Sequence, residues 1–180
     1  MIFVTGGVRS GKSAFAEKFA FEKELDKNFY YIATGVAFDD EMKARIKRHQ
    51  FDRLQQKINW QTVEMHVDIP DELKRLSEND VVLFECVTTW LSNVLYESES
   101  IDRREKYIEK AIERLQTMLS LWHSQGVKLI IVSNEILDEL PSKYDEVNLY
   151  RQYLGELHQW IVQHSDEAYE VQYQLVQQWK

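Results

Sequence analysis

Apolar positions along the chain fall into two alternating rhythms. Mostly apolar runs at Met1–Thr5, Phe29–Ala33, Val81–Phe84 and Val127–Val132 have the length of buried strands, and Trp60–Glu64 is a short strand candidate. Between these runs apolar residues recur at helical spacing. Phe15 with Phe19, and Ala16 with Ala20, mark a helix just after the first strand. Asp39-Asp40-Glu41 opens another, with Met42, Ile46, His49 and Arg53 along one face, and a loop follows from Leu54 to Asn59. Pro70-Asp71-Glu72 starts a short helix that runs to about Ser77, and helix signals return from Trp90 to Leu95. A long helix from Asp102 to Trp122 carries Ile108, Ala111, Leu115, Leu119 and Trp122 on one stripe, and Gly126 stops it. Residues 136–146 are polar and irregular around Pro141. The last helix spans 146–164, its stripe being Val147, Tyr150, Leu154, Leu157 and Ile161. In the tail Tyr169, Val171, Tyr173 and Leu175 alternate with polar residues, the pattern of one half-exposed strand at a sheet edge. Strands alternating with helices predict an α/β fold in a single domain, residues 1–180. Its sheet is mostly parallel, has helices on both faces, and takes an edge strand from the C-terminal tail.

The junction of the first strand and the first helix carries the clearest chemistry. Gly6-Gly7-Val8-Arg9-Ser10-Gly11-Lys12-Ser13 fits the phosphate-loop pattern, in a strand-turn-helix context that the pattern requires. Such a turn gathers several backbone N–H groups at a helix N-terminus, where the dipole adds positive potential. Lys12 is placed to reach the β- and γ-phosphates of a nucleotide, and Ser13 to ligate Mg2+. Glu85, at the tip of the Val81–Phe84 run, stands where a second magnesium-directed group of such a site is expected. The fold predicted is therefore a phosphate-loop (RecA-like) nucleotide-binding fold.

Composition narrows the partners. A net charge of -8 argues against nucleic acid or an anionic membrane as the main partner, so an anionic substrate must be held by local groups. The single cysteine, Cys86, excludes an intrachain disulfide and a cysteine zinc cluster, and its place beside an apolar strand fits a small packing residue better than a nucleophile. No apolar run approaches the ~20 residues of a membrane span. Residues 1–5 read as a core strand rather than a signal peptide, so the expected compartment is the cytoplasm.

A set of further motifs, in order, resembles the adenosylcobinamide kinase / adenosylcobinamide-phosphate guanylyltransferase family of cobalamin assembly. The set comprises Thr5 to Ser13, Tyr31-Ile32-Ala33-Thr34, Asp40-Glu41-Met42 with Arg45-Ile46 and His49, and Trp60 to Glu64. Glu85-Cys86-Val87-Thr88-Thr89-Trp90 with Asn93, and Val132-Ser133-Asn134-Glu135, complete it. The resemblance implies two reactions. The aminopropanol hydroxyl of adenosylcobinamide is phosphorylated at the expense of GTP or ATP. GMP is then transferred from GTP to that phosphate through a GMP-histidine intermediate, with His49 at the matching position. It also implies nucleotide contacts at the loop (Gly6, Gly7, Val8, Arg9, Ser10, Gly11, Lys12 and Ser13), at Ala33, Thr34 and Gly35, at Gln50, Phe51, Asp52 and Arg53, and at Glu64 and Glu85. A homotrimer is implied as well. One of Glu64 and Glu85 would accept from the guanine N1–H and N2–H₂, and the sequence does not choose between them.

By spacing alone His49 reads as a partly buried helix histidine, packed by Met42 and Ile46. As a nucleophile it would have to be neutral, and Arg45 and Arg53, one turn to either side, would favour that form. The chain departs from the family's pattern chiefly in its C-terminal third. Arg53 is followed by Leu54, Ile136 to Leu140 contains no glycine, Arg151-Gln152 and His158-Gln159 replace other pairs, and Gln172 to Lys180 has no glycine for a turn. Two narrower readings stand beside the bifunctional one. The chain would be a small-molecule kinase with a structural His49, or a nucleotide-binding protein that has lost its corrinoid site.

Overall fold

The computed structural model describes residues 1–22, 27–36, 40, 43, 44, 47, 51, 59–136 and 140–180. Its strands are β1 (Ile2–Thr5), β2 (Asn28–Ala33), β3 (Trp60–Glu64), β4 (Asp80–Glu85), β5 (Lys128–Val132), β6 (Glu167–Gln172) and β7 (Leu175–Gln178). Its helices are α1 (Lys12–Glu22), α2 (Val87–Ser98), α3 (Arg104–Ser124) and α4 (Asp145–His164), with a 3₁₀ turn at Asp71–Arg75. The strands form one sheet in the order β3-β2-β4-β5-β1-β6-β7. Every neighbouring pair is parallel except β6 and β7. The α/β expectation is met, with β5 inserted between the loop strand β1 and the Glu85 strand β4.

The runs are mostly apolar because the central strands are covered on both sides. Successive residues of each strand go to opposite faces. Phe3, Val82, Phe84, Leu129 and Ile131 join a core with Trp90, Leu115, Trp122, Leu154 and Leu157 from α2, α3 and α4. Ile2, Val4, Val81, Leu83, Ile130 and Val132 join the other, with Ala16 and Ala20 of α1. The small alanines let α1 lie close to the sheet, and Phe15 and Phe19 flank the Tyr169 ring of β6 at 5.4 and 5.6 Å. Two buried indoles keep their N–H groups satisfied across the first core: Trp90 Nε1 donates to Val67 O at 3.1 Å and Trp122 Nε1 to Leu73 O at 2.9 Å.

Several expectations shift. The segment opening at Pro70 is a 3₁₀ turn, not an α-helix, and α2 begins at Val87 rather than near Trp90. Val147 belongs to α4 but is 42% exposed, so its stripe starts one turn later. The helix expected from Asp40 is seen at Asp40, Lys43, Ala44, Lys47 and Phe51; Met42, Arg45, Ile46, His49, Gln50, Asp52 and Arg53 lie outside the described residues. The largest correction is the tail. It is not one alternating strand but a hairpin, with Gln172 paired to Leu175 and the edge formed by β7. The chain reverses at Tyr173 and Gln174, whose φ angles of 51° and 67° are left-handed. That geometry suits a two-residue hairpin turn, whose usual glycine or asparagine is missing here.

The hairpin also bears on the loop. Gly6 has φ 154°, and a Cβ on it would sit 2.2 Å from Val171 O of β6. Backbone cannot yield as a flexible side chain does, so Gly6→Ala forces β1 and β6 apart. The expected cost is about 1–3 kcal/mol in urea unfolding, together with weakened nucleotide binding. An unchanged unfolding midpoint would show that β6 does not press on the loop.

Candidate functional site

The loop between β1 and α1 is built from three left-handed or glycine-only positions: Gly6 at φ 154°, Arg9 at 60° and Gly11 at 98°. Ser10 N donates to Gly7 O at 3.2 Å, and Phe15 N to Gly11 O at 3.0 Å, which starts α1. A glycine-built turn that runs into a helix N-terminus is an anion-binding arrangement. Lys12 is only 7% exposed, and its ammonium folds back over the loop to Gly7 O at 3.1 Å. Ser10 is buried, and its Oγ has no hydrogen-bond partner among the described residues. It is a donor that a phosphate oxygen would satisfy.

Glu85 reaches this loop from β4. Ser13 Oγ donates to Glu85 Oε1, and Tyr31 Oη donates to Oε2 at 3.1 Å. Of the three groups the sequence assigned to the phosphate end, Ser13 and Glu85 therefore meet, although Glu85 comes from a strand two places from β1, and Lys12 lies on the same loop at Gly7 O. Sheet register adds Ala33 and Glu64 on the same level: Ala33 pairs with Glu85 on one side and with Glu64 on the other. Glu64 is exposed, with the His66 ring 3.8 Å from its carboxylate.

Thr34 is fully buried and tightly engaged. Its N donates to Glu85 O at 3.1 Å, its Oγ1 donates to Cys86 O at 3.0 Å and accepts from Cys86 N at 2.8 Å, and its carbonyl accepts from Asn93 Nδ2 at 2.8 Å. Its visible work is to clamp the end of β2 to the end of β4, holding Glu85 and the half-buried Gly35. Asn93 Nδ2 also donates to His66 O at 3.0 Å, so one amide ties α2 to the segments after β2 and β3. At the tip of β5, Asn134 Nδ2 donates to Thr88 Oγ1 at 3.0 Å and Glu135 N to Gly6 O at 2.9 Å. Tyr150 Oη donates to Thr88 O at 3.0 Å, and burial pushes the Tyr150 phenol up to about 12, so it remains a donor. Cys86 is half-buried, its Sγ 3.0 and 2.9 Å from the Thr88 and Thr89 hydroxyls.

Gly7 and Val8 are on the open side of the loop, and Phe51 is exposed on its helix. His49, Gln50, Asp52 and Arg53 lie outside the described residues, so their relation to the loop is not given by this geometry. Two contributors escape sequence reasoning. Tyr31 belongs to a strand whose alternation puts its ring on the α1 face, a signal that was present, but its hydroxyl partner is non-local. Gln174 N donates to Ser10 O at 2.8 Å, and nothing in the tail's pattern announces this.

A glycine turn between a parallel strand and a helix, whose serine meets a carboxylate from the next strand but one, defines a phosphate-loop nucleotide-binding protein. Comparison with known proteins carries this further. Residues 2–175 match the family described as cobinamide kinase / cobinamide phosphate guanyltransferase (CobU). The chain is 32% identical over 176 residues to the bifunctional adenosylcobalamin biosynthesis protein CobU of Escherichia coli K12, covering 94% of this chain and 93% of that protein. It is 31% identical over 176 residues to CobU of Salmonella typhimurium LT2, with the same coverage. With the bifunctional protein CobP of Pseudomonas aeruginosa it shares 33% identity over 161 residues, 85% of this chain and 86% of that one. The chain belongs to the cobinamide kinase / cobinamide phosphate guanyltransferase family and is a transferase. Among the described residues no helix is long and apolar enough to cross a membrane.

His158 illustrates how burial separates structural from chemical histidines. Its Nε2 lies 2.7 Å from Ser133 Oγ, its ring meets Phe3 edge-on at 5.2 Å, and burial pushes its pKa down from 6.5 to about 4. An unfolded His158 takes a proton near 6.5, whereas the folded one resists until about 4. Stability is therefore undiminished above that window and is lost as pH falls through it, by on the order of 3 kcal/mol at the limit. His158→Gln should flatten this component of a urea-unfolding series between pH 7.5 and 4.5. An unaltered slope would mean that His158 is protonated in the fold.

Proposed function

We propose that the chain phosphorylates adenosylcobinamide and then transfers GMP from GTP to adenosylcobinamide phosphate through a GMP adduct of His49, yielding adenosylcobinamide-GDP. The observation that carries this is the meeting of Ser13 and Glu85 at the loop over which Lys12 folds, in a chain of this family. The loop amides and Ser10 Oγ hold the phosphate chain, and Lys12 leaves Gly7 O to neutralise the β- and γ-oxygens. Ser13 and Glu85 are hard oxygen donors on one spot, and they fit Mg2+, which takes few protein ligands and completes its shell with phosphate and water. When bound, the ion would spread the charge of the transferring phosphoryl group.

For guanylyl transfer, neutral His49 attacks the α-phosphorus of GTP: an N–P bond forms, the bond to pyrophosphate breaks, and Arg45 and Arg53 favour the neutral imidazole. A phosphate oxygen of adenosylcobinamide phosphate then displaces His49 from the GMP. Because Glu85 is engaged by Ser13 and Tyr31, we assign the guanine contact to the exposed Glu64, with Ala33, Thr34 and Gly35 framing the nucleotide and Gln50 to Arg53 beside it. We propose the same resemblance-based setting for the whole: one domain, three copies per assembly, in the cytoplasm.

Two variants test these roles. Lys12→Ala, with its fold intact by circular dichroism, should lose roughly a hundredfold or more in phosphorylation of adenosylcobinamide, about 3 kcal/mol; undiminished turnover would remove the loop as the working phosphate site. His49→Ala should abolish the acid-labile, alkali-stable label left by α-labelled GTP while phosphorylation survives. Label persisting in that variant would move the nucleophile, with exposed His66 ahead of buried His158. A wild-type protein that binds GTP but takes no label would leave the kinase alone.

A further inference from the structure

The sheet order sets two directions away from the phosphate loop. Ser13 and Glu85 mark the end of the site that faces β4, and beyond β4 lie β2 and β3 with Glu64. On the opposite side of β1 stand β6 and β7, and the turn between them closes on the loop itself. Gln174 N donates to Ser10 O at 2.8 Å, and the position of a Cβ on Gly11 is 3.2 Å from Gln174 Cγ. A nucleotide whose terminal phosphate sits at Ser13 and Glu85 can carry its base toward this turn. One whose base sits at Glu64 points the other way, since β3 and β7 are opposite edges of the sheet.

The turn presents Tyr173, which is 91% exposed and has φ 51°. A bulky side chain in the left-handed region is unfavourable, and the position is one where glycine or asparagine is ordinarily found. Among the described residues little offsets that conformation, because the ring is almost wholly exposed. The backbone that carries the ring is nevertheless held in place: the N–H of the next residue is bonded to the loop, and the flanking Gln172 and Leu175 are paired. An exposed aromatic with only two side-chain torsions, on a turn bonded to a phosphate site, has the properties of a surface on which a flat ring stacks.

We propose that Tyr173 is the stacking platform for the purine base of the phosphoryl donor, a seat distinct from the guanine contact at Glu64. The inference rests on the phosphate-loop reading above. Stacking uses the π-face that every base has, so this seat does not select between adenine and guanine, and selectivity for guanine resides only in the other orientation.

The test compares ATP with inorganic tripolyphosphate, which has the phosphate chain and no base, on the full-length protein by calorimetric titration. Tyr173→Gly and Tyr173→Asn both suit the turn and should raise the melting temperature slightly while weakening ATP binding about tenfold. Tripolyphosphate binding should not change in either, covalent labelling by GTP should proceed as before, and Tyr173→Phe should restore ATP binding. ATP affinity unchanged in both variants would overturn the platform and leave the phosphate-loop reading intact. So would tripolyphosphate weakened by the same factor, which would place the effect in the loop, or a loss accompanied by a change of sedimentation, which would make Tyr173 an assembly contact. A wild-type chain that binds neither ligand would instead sink the phosphate-loop reading and the platform with it.

Discussion

The backbone of Gly6 is caught between two strands. Its carbonyl accepts from Glu135 N just beyond β5, and its α-carbon lies so near Val171 O of β6 that no side chain fits. Much of the site's geometry follows from this grip. With the first glycine fixed, the loop rises from β1 at one angle, Gln174 closes on Ser10 from the hairpin, and α1 starts where its N-terminus faces the ends of β4 and β5. Glu85 then meets Ser13 across the single strand, β5, that separates β4 from β1. The network at Thr34, Cys86 and Asn93 does for β2 and β4 what Gly6 does for β1 and β6. It fixes strand ends that would otherwise fray, at the level of the sheet where chemistry takes place.

Those parts of the site that were legible in the sequence are the ones encoded locally. The loop is a contiguous pattern, and β4 is a contiguous apolar run with a carboxylate at its tip, so Lys12, Ser13 and Glu85 could be named without a structure. What could not be read is what depends on distant partners. The role of Thr34 as a clamp and the hydroxyl of Tyr31 on Glu85 both come from strand register, which no single stretch contains. The tail misled for a physical reason. Tyr169, Val171, Tyr173 and Leu175 keep strict alternation through a turn that carries no glycine, so period-two spacing continued where the chain reversed. Val147 misled in the opposite way, with helical spacing that extends one turn beyond the covered face.

Acidity and anion binding coexist here because the relevant field is local. The chain carries a net charge of -8, but the loop confronts an anion with backbone dipoles, one buried hydroxyl and one folded-back ammonium. Fixed dipoles in a partly desolvated cleft act at contact distance, where the diffuse charge of the surface is screened by salt. The same surface charge discourages polyanions that could reach only the rim.

The bond from Gln174 to Ser10 joins residues far apart in the chain, and that has a consequence for biosynthesis. On the ribosome the phosphate loop is made early and its support is made late. Until β6 and β7 have emerged, the loop has its glycines and its lysine but not the wall that packs against them. Ligand assistance to folding then favours chains in which both hairpin strands have been made.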